Sequence, residues 1–191
     1  MTDTDQGTIT TTSMDLFTRA DYDLAFADEA ELMASQADRV LDWLRQMDLP
    51  GRYPITRLVH SLQSATRAER DGKDMEYVVC ALLHDVGDII GTANHSQVAA
   101  ALIKPFVSAQ NHWIVEHHGL FQGYYWFHHY GIDRDTRDRH KDHPSYQATV
   151  EFCAKYDQNC FDPDYPTLPL EHFEPMVREL FARAPHDVFA E

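Results

Sequence analysis

The chain has 191 residues, a quarter of them charged, and a formal net charge of −15. That length suits one domain whose core needs no covalent staples, and three cysteines (Cys80, Cys153, Cys160) form no paired framework, which points to a reducing compartment, the cytosol by default. The acidic balance argues against nucleic acid as a partner, no run of roughly 18 apolar residues offers a membrane helix, and polar residues 1–15 lack the features of a signal peptide.

Residues 1–15 read as a polar N-terminal arm ahead of one domain over 16–191. From there the apolar periodicity is helical almost throughout. Over 29–48, Leu32, Met33, Ala37, Val40, Leu41 and Leu44 make one stripe, closed by Leu49-Pro50-Gly51. Helices are then expected over 57–71, 74–86, 95–103, 108–118, 144–156 and 171–183, with Pro144 in a first turn. No period-two alternation, repeat or long linker interrupts them. The fold class is all-α.

Twelve histidines sit on this scaffold, and several fall into an ordered series with carboxylates: His60, the pair His84-Asp85, His95, His117 or His118, and Asp157. Imidazole and carboxylate are the ligands that borderline and hard transition metals prefer. His60 lies one turn into its helix beside Leu58 and Leu62, where a core histidine would also fit. His84-Asp85 ends the most apolar helix, and an aspartate there is costly unless it is paired or bound to a cation. Asp157 repeats that placement. His117 and His118 point about 100° apart on a helix, so one of them is expected outside the series.

The set His60, His84-Asp85 and Asp157 resembles the H…HD…D signature of the HD-domain superfamily, all-helical proteins that bind one or two metals. His95 and His118 match positions that add a second metal in its dinuclear members. The segments HSLQSA from His60, ALLHDVGD from Ala81, NHSQVAAALI, VEHHG and AKYDQNCFDPDY are similar to those of the HD-domain mixed-valent di-iron oxygenases. This likeness spans roughly Tyr53 to Phe181. It implies a single helical bundle holding two iron ions, Fe(II)/Fe(III). One would be held by His60, His84 and Asp157, the other by His95 and His118, with Asp85 bridging; Asp85 and His118 stand at the reacting centre. The implied activity is oxygen-dependent cleavage of the C–P bond of a 1-hydroxy-2-ammonioethylphosphonate, foremost the trimethylammonio compound, releasing glycine betaine and phosphate. The alternative is a metal-dependent phosphohydrolase acting on a phosphate ester or nucleotide. A sensor without activity fits less well, because all six ligands are present.

Substrate contacts are sought around this series. The segment after His118 carries Phe121, Tyr124, Tyr125, Trp126, Phe127 and Tyr130, either as core or as a pocket wall; aromatic faces bind quaternary ammonium. Asp88 stands where the members acting on the primary-amine hydroxyphosphonate carry histidine; it either faces an ammonium group or caps the next turn. Those members carry a Tyr and a Glu where this chain has Pro50 and Tyr53, so Tyr53 is either a differently built gate or a packing partner of Pro54. For the phosphonate, the basic run Arg137, Arg139, His140 and Lys141 is the first choice and Gln122 the second; the run could equally be a solvated loop paired with its own aspartates.

Overall fold

The computed structural model describes residues 7–186, so positions 1–6 of the polar arm lie outside the described residues. Eight α-helices follow one another without a strand among the described residues: α1 Arg19–Ala34, α2 Gln36–Gln46, α3 Arg57–Arg70, α4 Met75–Leu83, α5 His95–Ile103, α6 Ala109–Trp126, α7 Tyr146–Phe152 and α8 Leu170–Phe181. The all-α fold class is the one expected. None of these helices is long and apolar enough to cross a membrane.

Helix α4 is the axis of the bundle. The Asp74 side chain caps its start by accepting from the Tyr77 N–H at 2.8 Å. Every residue from Tyr77 to Leu83 is then buried, each large apolar side chain contributing about 1.5–3 kcal/mol. Helices α3, α6 and α8 pack around it, and α5 lies against α6. Helix α3 carries an unusual inner face, with His60, Ser61, Gln63, Ser64 and Thr66 all buried. Two of these polar groups tie down the facing chain: Gln63 donates to the Asp162 carbonyl and accepts from the Asp162 N–H, and Thr66 accepts from the Leu168 N–H. One face of α3 thereby pins the chain that follows Asp157.

Four element boundaries differ from expectation, each for a local reason. The stripe over 29–48 is two helices. Arg39 and the Ser35 hydroxyl both donate to the Leu32 carbonyl, closing α1 and leaving Leu32 and Met33 exposed while Val40, Leu41 and Leu44 enter the core. Helix α1 starts ten residues earlier than expected, at a capping box formed by Thr18 and Asp21. Helix α6 runs on through Gly119 to Trp126, so the aromatic segment is helical; a Cβ on Gly119 would lie 2.6 Å from the Ser96 hydroxyl, and the glycine serves close packing on α5 instead of ending the helix. Helix α7 begins after Pro144 and gives way to a π-helical turn over Cys153–Asp157.

Glu76, in the first turn of α4, ties three elements. Its carboxylate accepts from the Ser108 N–H (2.7 Å) and the Asn111 side-chain amide (2.8 Å) at the start of α6, and from Arg183 (2.5 Å) after α8. Burial alone would raise its pKa, but these bonds outweigh it and hold the group down at about 2, against an ordinary 4.5. A depressed folded pKa contributes stability that is complete above the ordinary value and disappears as pH falls toward the folded one. Replacing Glu76→Gln should cost about 1–3 kcal/mol at pH 7 and flatten the loss of stability between pH 5 and 2. Urea titrations across that range check both effects; parallel curves for the two proteins would contradict the assignment.

Candidate metal centre

Five segments deliver six side chains to one point. His60 comes from α3; His84 and Asp85 follow the end of α4; His95 opens α5; His118 lies in the middle of α6; Asp157 closes the π-helical turn. That turn is marked by the Gln158 N–H reaching the Cys153 carbonyl at 3.0 Å, a wide register that recurs at functional sites. His95 is near Asp85 because Gly87 has no side chain: a Cβ there would sit 2.1 Å from the His95 carbonyl oxygen.

The two oxygens of Asp85 face different pairs of imidazoles. Oδ2 lies 3.6 Å from His60 Nε2 and 3.7 Å from His84 Nε2, while Oδ1 lies 3.3 Å from His95 Nε2 and 3.2 Å from His118 Nε2. Asp157 Oδ1 closes the first group at 3.4 Å from His60 and 3.8 Å from His84. Gln122 donates to that same Oδ1 at 2.7 Å, fixing the carboxylate, and Asp157 Oδ2 is buried without a hydrogen-bond partner.

Ring orientation follows from the opposite edge of each imidazole. His60 Nδ1 meets the Cys160 carbonyl at 2.9 Å, His84 Nδ1 that of Ala81 at 2.7 Å, His118 Nδ1 that of Val115 at 2.7 Å, and His95 Nδ1 that of Thr92 at 3.2 Å. A carbonyl can only accept, so each Nδ1 carries the proton and each neutral ring presents a lone pair at Nε2. Two such lone pairs lie 3.1 Å apart on His60 and His84, and two 3.3 Å apart on His95 and His118. Neutral acceptors at that separation repel unless a cation sits among them.

Electrostatics describe the same field. Burial pushes the His84 pKa down to about 4 against the pull of Asp85 and Asp157. Burial also acts to lower His60 and His118, yet the adjoining carboxylates prevail and both are raised. Burial would raise Asp85, but the surrounding His84, His118 and His60 hold it well below the usual carboxylate range. The donor set, its fixed tautomers and the orphaned Asp157 oxygen all fit metal ions. His60, His84 and Asp157 form one group able to hold an ion, and His84, Asp85 and His118 another.

A cavity of about 260 Å³ opens over this cluster. Of the residues expected to meet a substrate, Tyr53, Asp88, Gln122 and Trp126 line it; Tyr124, Arg137, Arg139, His140 and Lys141 do not. Tyr124 stands two residues from Gln122, roughly 200° around α6, and its ring is covered by Arg134 at 4.0 Å and Arg137 at 3.8 Å. Arg139 donates to His140 and Lys141 is exposed, in a 3-10 segment that packs on α6 away from the cavity lining. His117 stacks on Trp113 at 3.9 Å and is absent from the cluster. Among the lining residues that were not expected, two make contacts with the site. Phe161 stacks on the His60 ring at 4.6 Å and meets Tyr53 at 5.2 Å; Arg57 is ion-paired with Asp88. Arg57 was detectable in principle, one turn before His60 on the same helical face.

An HD-domain family model matches residues 57–151, a span that holds five of the six clustered residues and stops short of Asp157. No curated protein matches the chain. Because Gly87 admits the His95 backbone, Gly87→Ala should displace His95 and lower the metal bound per chain, read by elemental analysis; wild-type metal content at wild-type stability would contradict this role. The described residues are all-helical, residues 57–151 match the HD-domain model, and His/Asp groups at the centre of the bundle can hold metal.

Proposed function

We propose that the chain is a non-haem di-iron oxygenase that cleaves the C–P bond of a 1-hydroxy-2-ammonioethylphosphonate, foremost the trimethylammonio compound. The observation that carries this reading is Asp85, whose two oxygens each face a separate pair of imidazole lone pairs. Such a carboxylate suits a pair of ions sharing one bridge, and histidine–carboxylate sets with open positions suit non-haem iron. Bound there, a mixed-valent iron pair would activate dioxygen and give a Lewis-acidic hold on the substrate's oxygens, the four electrons that reduce dioxygen coming from the substrate itself.

The proposed reaction converts R–CH(OH)–PO₃²⁻ and O₂ into R–COO⁻, hydrogen phosphate and one proton. The hydroxyl-bearing carbon loses its hydrogen and its phosphorus, and dioxygen takes up four electrons. The chain's own residues set the conditions. Asp85 fixes the spacing of the two halves. Gln122 holds Asp157 by Oδ1, the oxygen that faces His60 and His84, while Oδ2 is buried with no hydrogen-bond partner. Phe161, stacked on His60, shields that ring from water. Tyr53 and Trp126 offer aromatic faces at the mouth, and rings of this kind attract a trimethylammonio group by about 0.5–2 kcal/mol.

Anaerobic iron reconstitution followed by low-temperature EPR tests the reading. A coupled Fe(II)/Fe(III) signal that changes on adding the hydroxyphosphonate is expected, with oxygen uptake matching phosphate release. Release of phosphate from esters with Mn²⁺ or Mg²⁺ and without oxygen would identify a phosphohydrolase instead.

A further inference from the structure

Among the described residues lining the metal cavity, three carboxylates (Asp85, Asp88, Asp157) are accompanied by a single Lys or Arg, Arg57. Asp88, which pairs with it, is 95% buried by its side chain's 5% exposure, whereas Arg57 is 46% exposed. The partly exposed pair contributes little to stability, and burying its carboxylate is costly; the arrangement is poorly explained as a fold-stabilising contact. It is better explained by where it points. Asp88 Oδ1 lies 3.9 Å from His95 Nδ1, so the guanidinium stands one carboxylate's width from the second imidazole pair. Among the described residues the Arg57 side chain bonds to Asp88 through Nη1, leaving most of its five N–H donors to meet a ligand.

Position gives a second argument. A further cavity of about 410 Å³ adjoins the first, and the two share Tyr53, Ile55, Arg57, Asp88 and Thr92. The ion pair therefore stands at their junction. The outer cavity is lined by apolar Met47, Leu49, Pro50 and Ile89 together with Gln46 and Arg52, a mixed wall with room for an organic remainder. Two metal cations would outweigh Asp85 and Asp157 and make the inner cavity attractive to anions. A tetrahedral oxyanion held there turns its remaining oxygens outward, and the planar guanidinium fork matches such oxygens two at a time.

We propose that Arg57, aimed by Asp88, is the specificity-determining residue that binds the phosphorus oxyanion of a metal-bound substrate at the junction of the two cavities. This rests on the reading of the cluster as a metal centre acting on a phosphorus compound, but not on whether that chemistry is oxygenation or hydrolysis. Arg57 binds the PO₃ group; Asp88 is a positioning residue acting through Arg57.

Calorimetric titration of the metal-loaded full-length protein with inorganic phosphate and with ethylphosphonate tests this without turnover. Azide, which needs only an open metal position, serves as the control. Arg57→Gln should weaken both phosphorus oxyanions by about 10–100-fold and leave azide binding unchanged, Arg57→Lys should restore affinity to within about 5-fold, and Asp88→Asn should lose about 3–10-fold. Phosphate binding by Arg57→Gln within about 2-fold of wild type would overturn the assignment, as would parallel loss of azide, a loss confined to one of the two oxyanions, or no phosphate binding by the wild-type protein. Unchanged binding by Asp88→Asn would overturn the aiming role. Oxygen-dependent turnover coexisting with any of these results would leave the oxygenase reading standing while this one fails.

Discussion

The Asp85 carboxylate, set between four imidazole nitrogens, is the contact on which the rest of the structure depends. Its oxygens lie 3.2–3.7 Å from His60, His84, His95 and His118, and it is held well below its ordinary pKa at the tip of a buried helix. A charge in such a place costs several kcal/mol unless it is compensated. Compensation here requires α3, α5 and α6 to converge on the end of α4, so the bundle's layout and the cluster's geometry are one constraint.

The supporting layer makes that convergence specific. All four imidazoles give their Nδ1 protons to backbone carbonyls, and three of those carbonyls lie three residues earlier in the same segment. The ring is thus oriented by its own backbone, without recruiting further side chains. His60 is the exception, reaching Cys160 across the fold. The same α3 face, through Gln63 and Thr66, pins residues 162 and 168. The spacing His60-x-x-Gln63 therefore has a mechanical meaning: one turn of α3 orients a ring and anchors the segment that carries Asp157.

Much of this was readable from residue order. Helices over 57–70 and 95–103 follow from apolar periodicity and caps, and a buried helix ending in His-Asp announces its need for a partner. What failed were boundaries decided by tertiary contact. Gly119 looks locally like a helix stop, but its packing on Ser96 explains why it lies inside α6. Leu32 and Met33 satisfy the stripe yet stay exposed, because the break at Ser35 changes the direction of the chain. The basic run 137–141 illustrates a different limit: charge along the sequence carries no information about which face of α6 it will cover. Arg57 shows the converse. Its place one turn before His60 is visible in the sequence, but its pairing with Asp88 is not.

These features describe a site divided by function. The inner end gathers lone pairs and carboxylates for cations, the mouth offers Tyr53, Phe161 and Trp126, and the Arg57–Asp88 pair stands between the two cavities. The central claim is that Asp85 bridges two ions. Anomalous diffraction at the iron absorption edge, from crystals of anaerobically reconstituted protein, tests it most directly. The account predicts two peaks, one beside each Asp85 oxygen and about 3.5–4 Å apart; a single peak, or iron bound away from these six residues, would contradict it.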